Sequence, residues 1–337
     1  VVNITDVAAR AGVSHQTVSR VLNDEATVRP ATRARVTEAI RALNYRPSAA
    51  ARALATRRSR TIGLVATGAP LFGPSSTMLA FQEAARSAGY RVSIASMSTI
   101  DDVAMKDAVD GMLAQGIEAL VVIVADEATF EAIAGIDLGI PLVAAESSGR
   151  EGIHSVSIDQ VGGARRAVRH LLDLGHRGIL HLRGPYGSLD AAERERGWRD
   201  ELHAAGLQPL DPLVGDWMPS SGFELGRRLI SSGTVGPDAA TAVFSANDQM
   251  ALGLLHALSQ AGLAVPADVS VVGFDDTPES EHFTPPLTTI RQDFRDLGSR
   301  LLAAVLTAID GAVPTDPVRA PAPLVVRAST AAPVIET

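Results

Sequence analysis

"TDVAARAGVSHQTVSRVLN", residues 5–23, is the stretch on which the reading of this chain turns. Val7, Ala8 and Ala11 recur on one helical face, and Thr5 stands where a capping side chain is expected. Gly12 interrupts the pattern and suits a tight turn with positive φ. Ser14 can cap a second helix, in which Val18, Val21 and Leu22 form the apolar stripe. His15, Gln16, Ser19 and Arg20 fall on its other face, rich in hydrogen-bonding groups and free of acid. Two short helices meeting at a glycine turn predict a helix-turn-helix, whose second helix can read base edges in the major groove. Arg29-Pro30 then starts a third helix, with Val36, Ile40 and Leu43 as its inner stripe.

Charge separates this head from the rest of the chain. Residues 1–60 hold eleven arginines against Asp6, Asp24, Glu25 and Glu38, a balance of +7. The whole chain is −8, so residues 61–337 carry −15. A basic head on an acidic body points to a polyanion as the head's partner.

The 337 residues are enough for two or three domains, and 46% hydrophobic residues can fill sizeable cores. No apolar run is long enough to span a membrane. The first residues lack a signal peptide's apolar core, so a cytoplasmic protein without a membrane partner is expected. The absence of cysteine excludes disulfides, thiolate metal sites and cysteine nucleophiles.

From residue 61 the pattern becomes α/β. "TIGLVA", "RVSIAS", "ALVVIV" and "PLVAA" read as one set of buried parallel strands. "HSVSI", "GILHL", "TAVFS" and "VSVVGF" read as a second set. Tandem α/β units predict two lobes with a ligand cleft at the carboxyl ends of their strands. Catalytic constellations are missing: there is no GxSxG, no HExxH and no phosphate loop with its lysine. No metal or cofactor is therefore expected. His176 and His181 straddle a strand start and read as structural. Asp275-Asp276 is a poor acid/base couple, because adjacent residues point different ways. Asp275 instead ends a buried strand, where it can accept a ligand hydroxyl.

"VAARAGVSHQTVSRVLN", followed by "LNYRPSAAARAL", closely resembles the headpiece of the LacI/GalR family of bacterial transcriptional repressors. "GDW", "ANDQMALG", "SVVGFDDT" and "PPLTTIRQDF" resemble that family's ligand-binding core. The resemblance implies a helix-turn-helix domain at 1–45, a hinge helix at 46–60 and a periplasmic-binding-protein-like core of two doubly wound lobes at 61–330. It places the N-lobe at about 61–159 and 292–322, the C-lobe at about 160–291 and 323–330, and a tail at 331–337.

Residue by residue, the resemblance implies base reading by His15, Gln16 and Arg20, where the matched pattern has tyrosine at the first of these. Thr5, Ser14, Thr17, Ser19 and Asn23 then belong to DNA positioning or capping. In the hinge, Leu54 would wedge into the minor groove while Arg52 and Arg57 neutralise phosphates. In the cleft, Arg194, Trp217, Asn247, Gln249 and Asp275 match the polar end of a sugar site. Thr67, Leu71, Pro74, Phe294 and Leu297 match its apolar walls. Three places depart from the pattern: Glu146 replaces an aspartate, Asp190 replaces a serine, and Ser98-Thr99 replace a glutamate and an arginine.

The expected function is a repressor that binds double-stranded operator DNA at a pseudo-palindrome as a homodimer and is released by a sugar or galactoside-like glycoside. Residues 74–88 and 101–115 are expected at the dimer interface, and "ASTAAPVIET" offers no heptads for a tetramer. Rival readings are an enzyme, a sugar-transport receptor, and a regulator that needs a purine or other corepressor.

Overall fold

Asn3, not Thr5, caps the first helix. Its side chain accepts from the amides of Thr5 (2.8 Å) and Asp6 (3.1 Å), and the Asp6 carboxylate accepts from the Asn3 amide (2.9 Å). This reciprocal box leaves Thr5 inside the first turn. The computed structural model describes residues 2–22, 27–45, 58–67, 71–97, 102–134, 138–149, 154–236, 239–312 and 317–334. The chain divides into two compact units, Val1–Arg60 and Thr61–Thr337.

In the first unit, α1 (Ile4–Ala11) and α2 (His15–Leu22) meet at Gly12, whose φ of 65° closes the turn. Ser14 caps α2, its hydroxyl accepting from the Thr17 amide at 3.2 Å. Pro30 opens α3 (Pro30–Ala42). Val7, Ala8, Ala11, Val18, Val21, Val36 and Ala39 form the core, with Leu22, Ile40 and Leu43 half-buried against it.

The second unit holds two six-stranded sheets. The first runs β1 (Thr61–Thr67), β2 (Arg91–Met97), β3 (Ala119–Ile123), β4 (Leu142–Ala145), β5 (His154–Ile158) and β11 (Val318–Ala320). Its order is β11-β5-β4-β3-β1-β2, and every pairing is parallel. The second runs β6 (Ile179–Arg183), β7 (Leu213–Val214), β8 (Ala242–Ser245), β9 (Ser270–Asp275), β10 (Thr288–Arg291) and β12 (Leu324–Val325). Its order is β12-β10-β9-β8-β6-β7, with β12 alone antiparallel. "HSVSI" therefore belongs to the first sheet as β5, not to the second set. Apolar composition marks a buried strand but carries no record of its sheet.

Helices α4 (Phe72–Ser87), α5 (Asp102–Ala114), α6 (Glu127–Ala134) and α11 (Phe294–Ile309) accompany the first sheet. Helices α7 (Gln160–Asp173), α8 (Leu189–Ala204), α9 (Pro219–Ser231) and α10 (Asp248–Gln260) accompany the second. Strand alternation feeds cores on both faces: Ala119 and Val121 of β3 join one cluster, Leu120 and Val122 another. The first of these clusters continues into the second lobe through Val168, Trp198, Phe244 and Phe274. The described chain passes between sheets from β5 to α7, from β10 to α11 and from β11 to β12.

The two histidines singled out from sequence are structural. His176 donates from Nε2 to the Ala331 carbonyl (2.9 Å) and accepts at Nδ1 from the Thr241 hydroxyl (2.8 Å), pinning the chain's last described stretch. His181 lies between the rings of Trp198 and Phe244 and donates to the Phe244 carbonyl; burial pushes its pKa down to about 4. Among the described residues no helix is long and apolar enough to cross a membrane, and no cluster of metal-ligating side chains occurs.

Candidate functional site

In the first unit, helix packing turns one face of α2 outward. Val18 and Val21 are buried, so His15, Gln16 and Arg20 are exposed, with Thr17 and Ser19 half-buried beside them. Thr5 and Ser14 are exposed at the starts of α1 and α2, and the Ser14 and Thr17 hydroxyls lie 3.0 Å apart. Asn23, Arg52, Leu54 and Arg57 lie outside the described residues, as do Ser98 and Thr99.

In the second unit, a cavity of about 580 Å³ opens at the carboxyl ends of both sheets. It brings together Leu71, Pro74, Glu146, Asp190, Arg194, Trp217, Asn247, Gln249, Asp275, Phe294 and Leu297 from the sequence-derived set. Thr67 ends β1, and its side chain lies outside the described part. Each polar group arrives for a topological reason: Asp190 follows β6, Asn247 follows β8, and Asp275 ends β9.

The polar end is a closed ring of buried side chains. Arg194 donates from Nε to Gln160 Oε1 (2.9 Å), and Gln160 donates to Gln292 Oε1 (3.1 Å). Gln292 donates to Asp275 Oδ1 (2.6 Å), which Arg194 Nη1 approaches at 3.5 Å. Arg194 also donates to the Ala246 carbonyl and lies over the Phe274 ring, 3.9 Å from its centroid. Such a guanidinium has one orientation, and Asp275 Oδ2 has no hydrogen bond among the described residues. Gln160 and Gln292 sit at two of the passages between sheets. The sequence reading missed both, and Phe72 and Ser188 of the cavity wall as well. Gln292 lies inside the quoted "PPLTTIRQDF"; nothing marks Gln160 except its place just after β5.

Burial raises the Asp275 carboxyl to about 6, although Arg194 and Gln292 pull it down. Asp248, behind it, is also pushed well up by burial and by the Asp275 charge, despite bonds from the Thr289 hydroxyl (2.6 Å) and the Thr277 amide (2.8 Å). Asp276 turns away to Arg291 and Arg327, both at 2.6 Å. Burial alone would raise its carboxyl, but these two bonds outweigh burial and hold it low.

Trp217 has a φ of 75° and Asp275 one of 119°, backbone conformations that cost a residue with a Cβ about 1–3 kcal/mol. Asn247 holds the first of these, donating from Nδ2 to the Trp217 carbonyl at 3.0 Å while its side-chain Oδ1 caps α10 by accepting from the Met250 amide (2.9 Å). Gly184 makes room for the indole: a Cβ there would stand 2.3 Å from the ring. Glu146 lines the wall, but its carboxylate accepts from the Ser148 amide (2.7 Å) and hydroxyl (2.5 Å) and the Gly149 amide (3.0 Å), so it holds its own turn. Asp190 faces Arg194 Nη2 at 3.6 Å, and its side chain is 43% exposed.

A second contact joins the lobes at the cavity's edge. The Glu127 amide donates to the Gly187 carbonyl, and the Leu189 amide to the Ala125 carbonyl, both at 3.2 Å. The Leu189 side chain, on the first residue of α8, is buried in the core of the first lobe.

This pairing of a three-helix head with a two-lobed α/β body is the architecture of a DNA-binding regulator with a ligand-responsive core. Residues 3–48 match the family model described as bacterial regulatory proteins, lacI family, and residues 168–330 match the periplasmic binding protein-like domain. The chain is 37% identical over its full length to the lactose operon repressor of Escherichia coli (strain K12), covering 92% of that protein. It is 33% identical to the HTH-type transcriptional repressor PurR of Actinobacillus pleuropneumoniae serotype 3 (strain JL03), over 91% of this chain and 90% of that one. Among solved structures it matches a lac repressor dimer bound to operator and the anti-inducer ONPF, with a TM-score of 0.88 over 98% of this chain and 99% of that chain at 37% identity. It also matches a complex of the transcriptional regulator CelR with cellobiose, with a TM-score of 0.71 over 98% of this chain and 100% of that chain at 30% identity. The chain belongs to the lacI family of bacterial regulatory proteins and is a DNA-binding transcriptional repressor, not an enzyme.

Proposed function

We propose that the chain binds a pseudo-palindromic operator as a homodimer and is released from it by a sugar or glycoside of galactoside type. The observation that carries the sugar reading is the polar end of the cavity. A carboxylate oxygen of Asp275 and the fixed guanidinium of Arg194 can share ring hydroxyls, and Trp217 beside them can cover a C–H face. The names of relatives agree: one is a lactose operon repressor, and another was solved with cellobiose. On α2, His15, Gln16 and Arg20 are the base-reading candidates. Ser14, Thr17 and Ser19 serve phosphates or caps. Leu54 is the sequence-derived candidate for the minor groove, and Arg52 and Arg57 are those for phosphates. Exposed Leu79 and Val103, on α4 and α5, suit the dimer interface expected there.

A second reading rests on the 33% identity to a purine-named repressor: a corepressor tightens operator binding. A thermal-shift screen separates the two. A neutral galactoside or glucoside that stabilises the protein supports the sugar reading, because a ligand bound only to the native state raises its stability. Stabilisation by purine bases and by no sugar overturns it.

A further inference from the structure

The charge of the cavity narrows the effector further, and this step rests on the sugar reading. Among the described lining residues Arg194 is the one cation, against Asp190, Asp275 and Glu146. That guanidinium is already committed to Gln160, the Ala246 carbonyl and the two aspartates. A phosphate or carboxylate on the ligand would meet two carboxylates within about 4 Å of its only counter-charge, and like charges that close repel. An uncharged hydroxyl meets the opposite situation, because each carboxylate accepts a hydrogen bond.

We infer that the cavity selects uncharged glycosides and rejects phosphorylated and uronic sugars, and that Asp190 sets this selectivity. Asp190 is the member free to do so. The Glu146 carboxylate is consumed by its own turn, and Asp275 is locked by Gln292. The Asp190 side chain is half-exposed and faces Arg194 Nη2 at 3.6 Å. The other end of the cavity is walled by the apolar side chains of Phe72, Pro74, Val124, Phe294 and Leu297 and holds no cationic side chain among the described residues. With about 580 Å³ available, a glycoside carrying a second ring or an apolar aglycone fits better than a lone hexose.

The test is calorimetric titration of the full chain with a neutral galactoside and with its 6-phosphate, repeated on Asp190→Asn. The wild-type protein should bind the neutral sugar about 100-fold more tightly, and Asp190→Asn should narrow that ratio about tenfold. Equal or tighter binding of the phosphate overturns the charge selection while leaving the sugar reading intact. An unchanged ratio in Asp190→Asn overturns the role of Asp190. If neither sugar binds, at millimolar concentration, to protein that still melts cooperatively, the sugar reading fails and this inference falls with it.

Discussion

Asp275 concentrates the chemistry of the cleft. Its carboxyl, raised to about 6 from an ordinary 3.8, changes charge within a workable pH range. The folded state holds that proton more tightly than the unfolded chain, so its contribution to stability is largest below about 4 and fades as pH rises to about 6. Under the proposed sugar reading ligand binding runs the other way, because the ionised oxygen would be the hydroxyl acceptor. Sugar affinity should therefore rise between about pH 5 and pH 7 and then level off, and Asp275→Asn should flatten the profile. Fluorescence titrations across that range test this, and affinity that falls with rising pH contradicts it. Asp275→Asn and Arg194→Ala should each remove the response of operator binding to sugar while leaving sugar-free operator binding unchanged in a gel-shift assay. A folded variant that loses operator affinity without sugar contradicts that assignment. Asp275 was legible from sequence because strand ends collect ligand groups, whereas Arg194, on α8, was marked by the family resemblance alone. Gln160 and Gln292 were not, because the bond joining them spans 132 residues and neither stands in a pattern that periodicity can detect.

At the scale of elements, α2 and the start of α8 each make a separable claim. α2 was readable almost whole, since one buried stripe fixes which face is left outside. Only the cap of its neighbour α1 was misread, because Thr5 and Asn3 are both capping residue types and the decisive Asp6 acts backward on Asn3. Gln16→Ala or Arg20→Ala should cost operator DNA about 1–3 kcal/mol relative to random DNA, whereas loss of Arg57, proposed to meet a phosphate, should weaken both alike. Fluorescence anisotropy on the two DNAs decides it, and equal losses for the α2 variants would remove them from base reading. The start of α8 was not legible: an apolar residue opening a helix carries no sign that it will fill the other lobe's core. Leu189→Ala should destabilise the body by about 2–5 kcal/mol and loosen the contact between residues 125–127 and 187–189. Hydrogen exchange at the Glu127 and Leu189 amides should then quicken ahead of exchange in β3 and β8. Uniform acceleration would mean that the contact does not open independently.

For the whole molecule, the fold class was legible from the alternation of short apolar runs with helix-length segments, but that alternation did not assign β5, which only the lobe bounds implied by the resemblance put in the first lobe. Parallel strands buried on both faces look alike, and only the crossing pattern assigns them. That pattern also gives the proposed mechanism its economy. The Arg194–Gln160–Gln292–Asp275 ring joins the Asp275 carboxylate to two passages between the lobes, so a sugar held there would favour one lobe arrangement over another. A sugar that releases the repressor must bind the low-affinity DNA state more tightly, by about 1–3 kcal/mol, and operator must then weaken sugar binding by the same factor. Titrating the full chain with the best neutral glycoside, in the presence and absence of saturating operator duplex, measures this coupling directly. The account predicts sugar affinity about 5- to 150-fold weaker on operator. Equal or tighter affinity on operator would contradict it and make the ligand a corepressor.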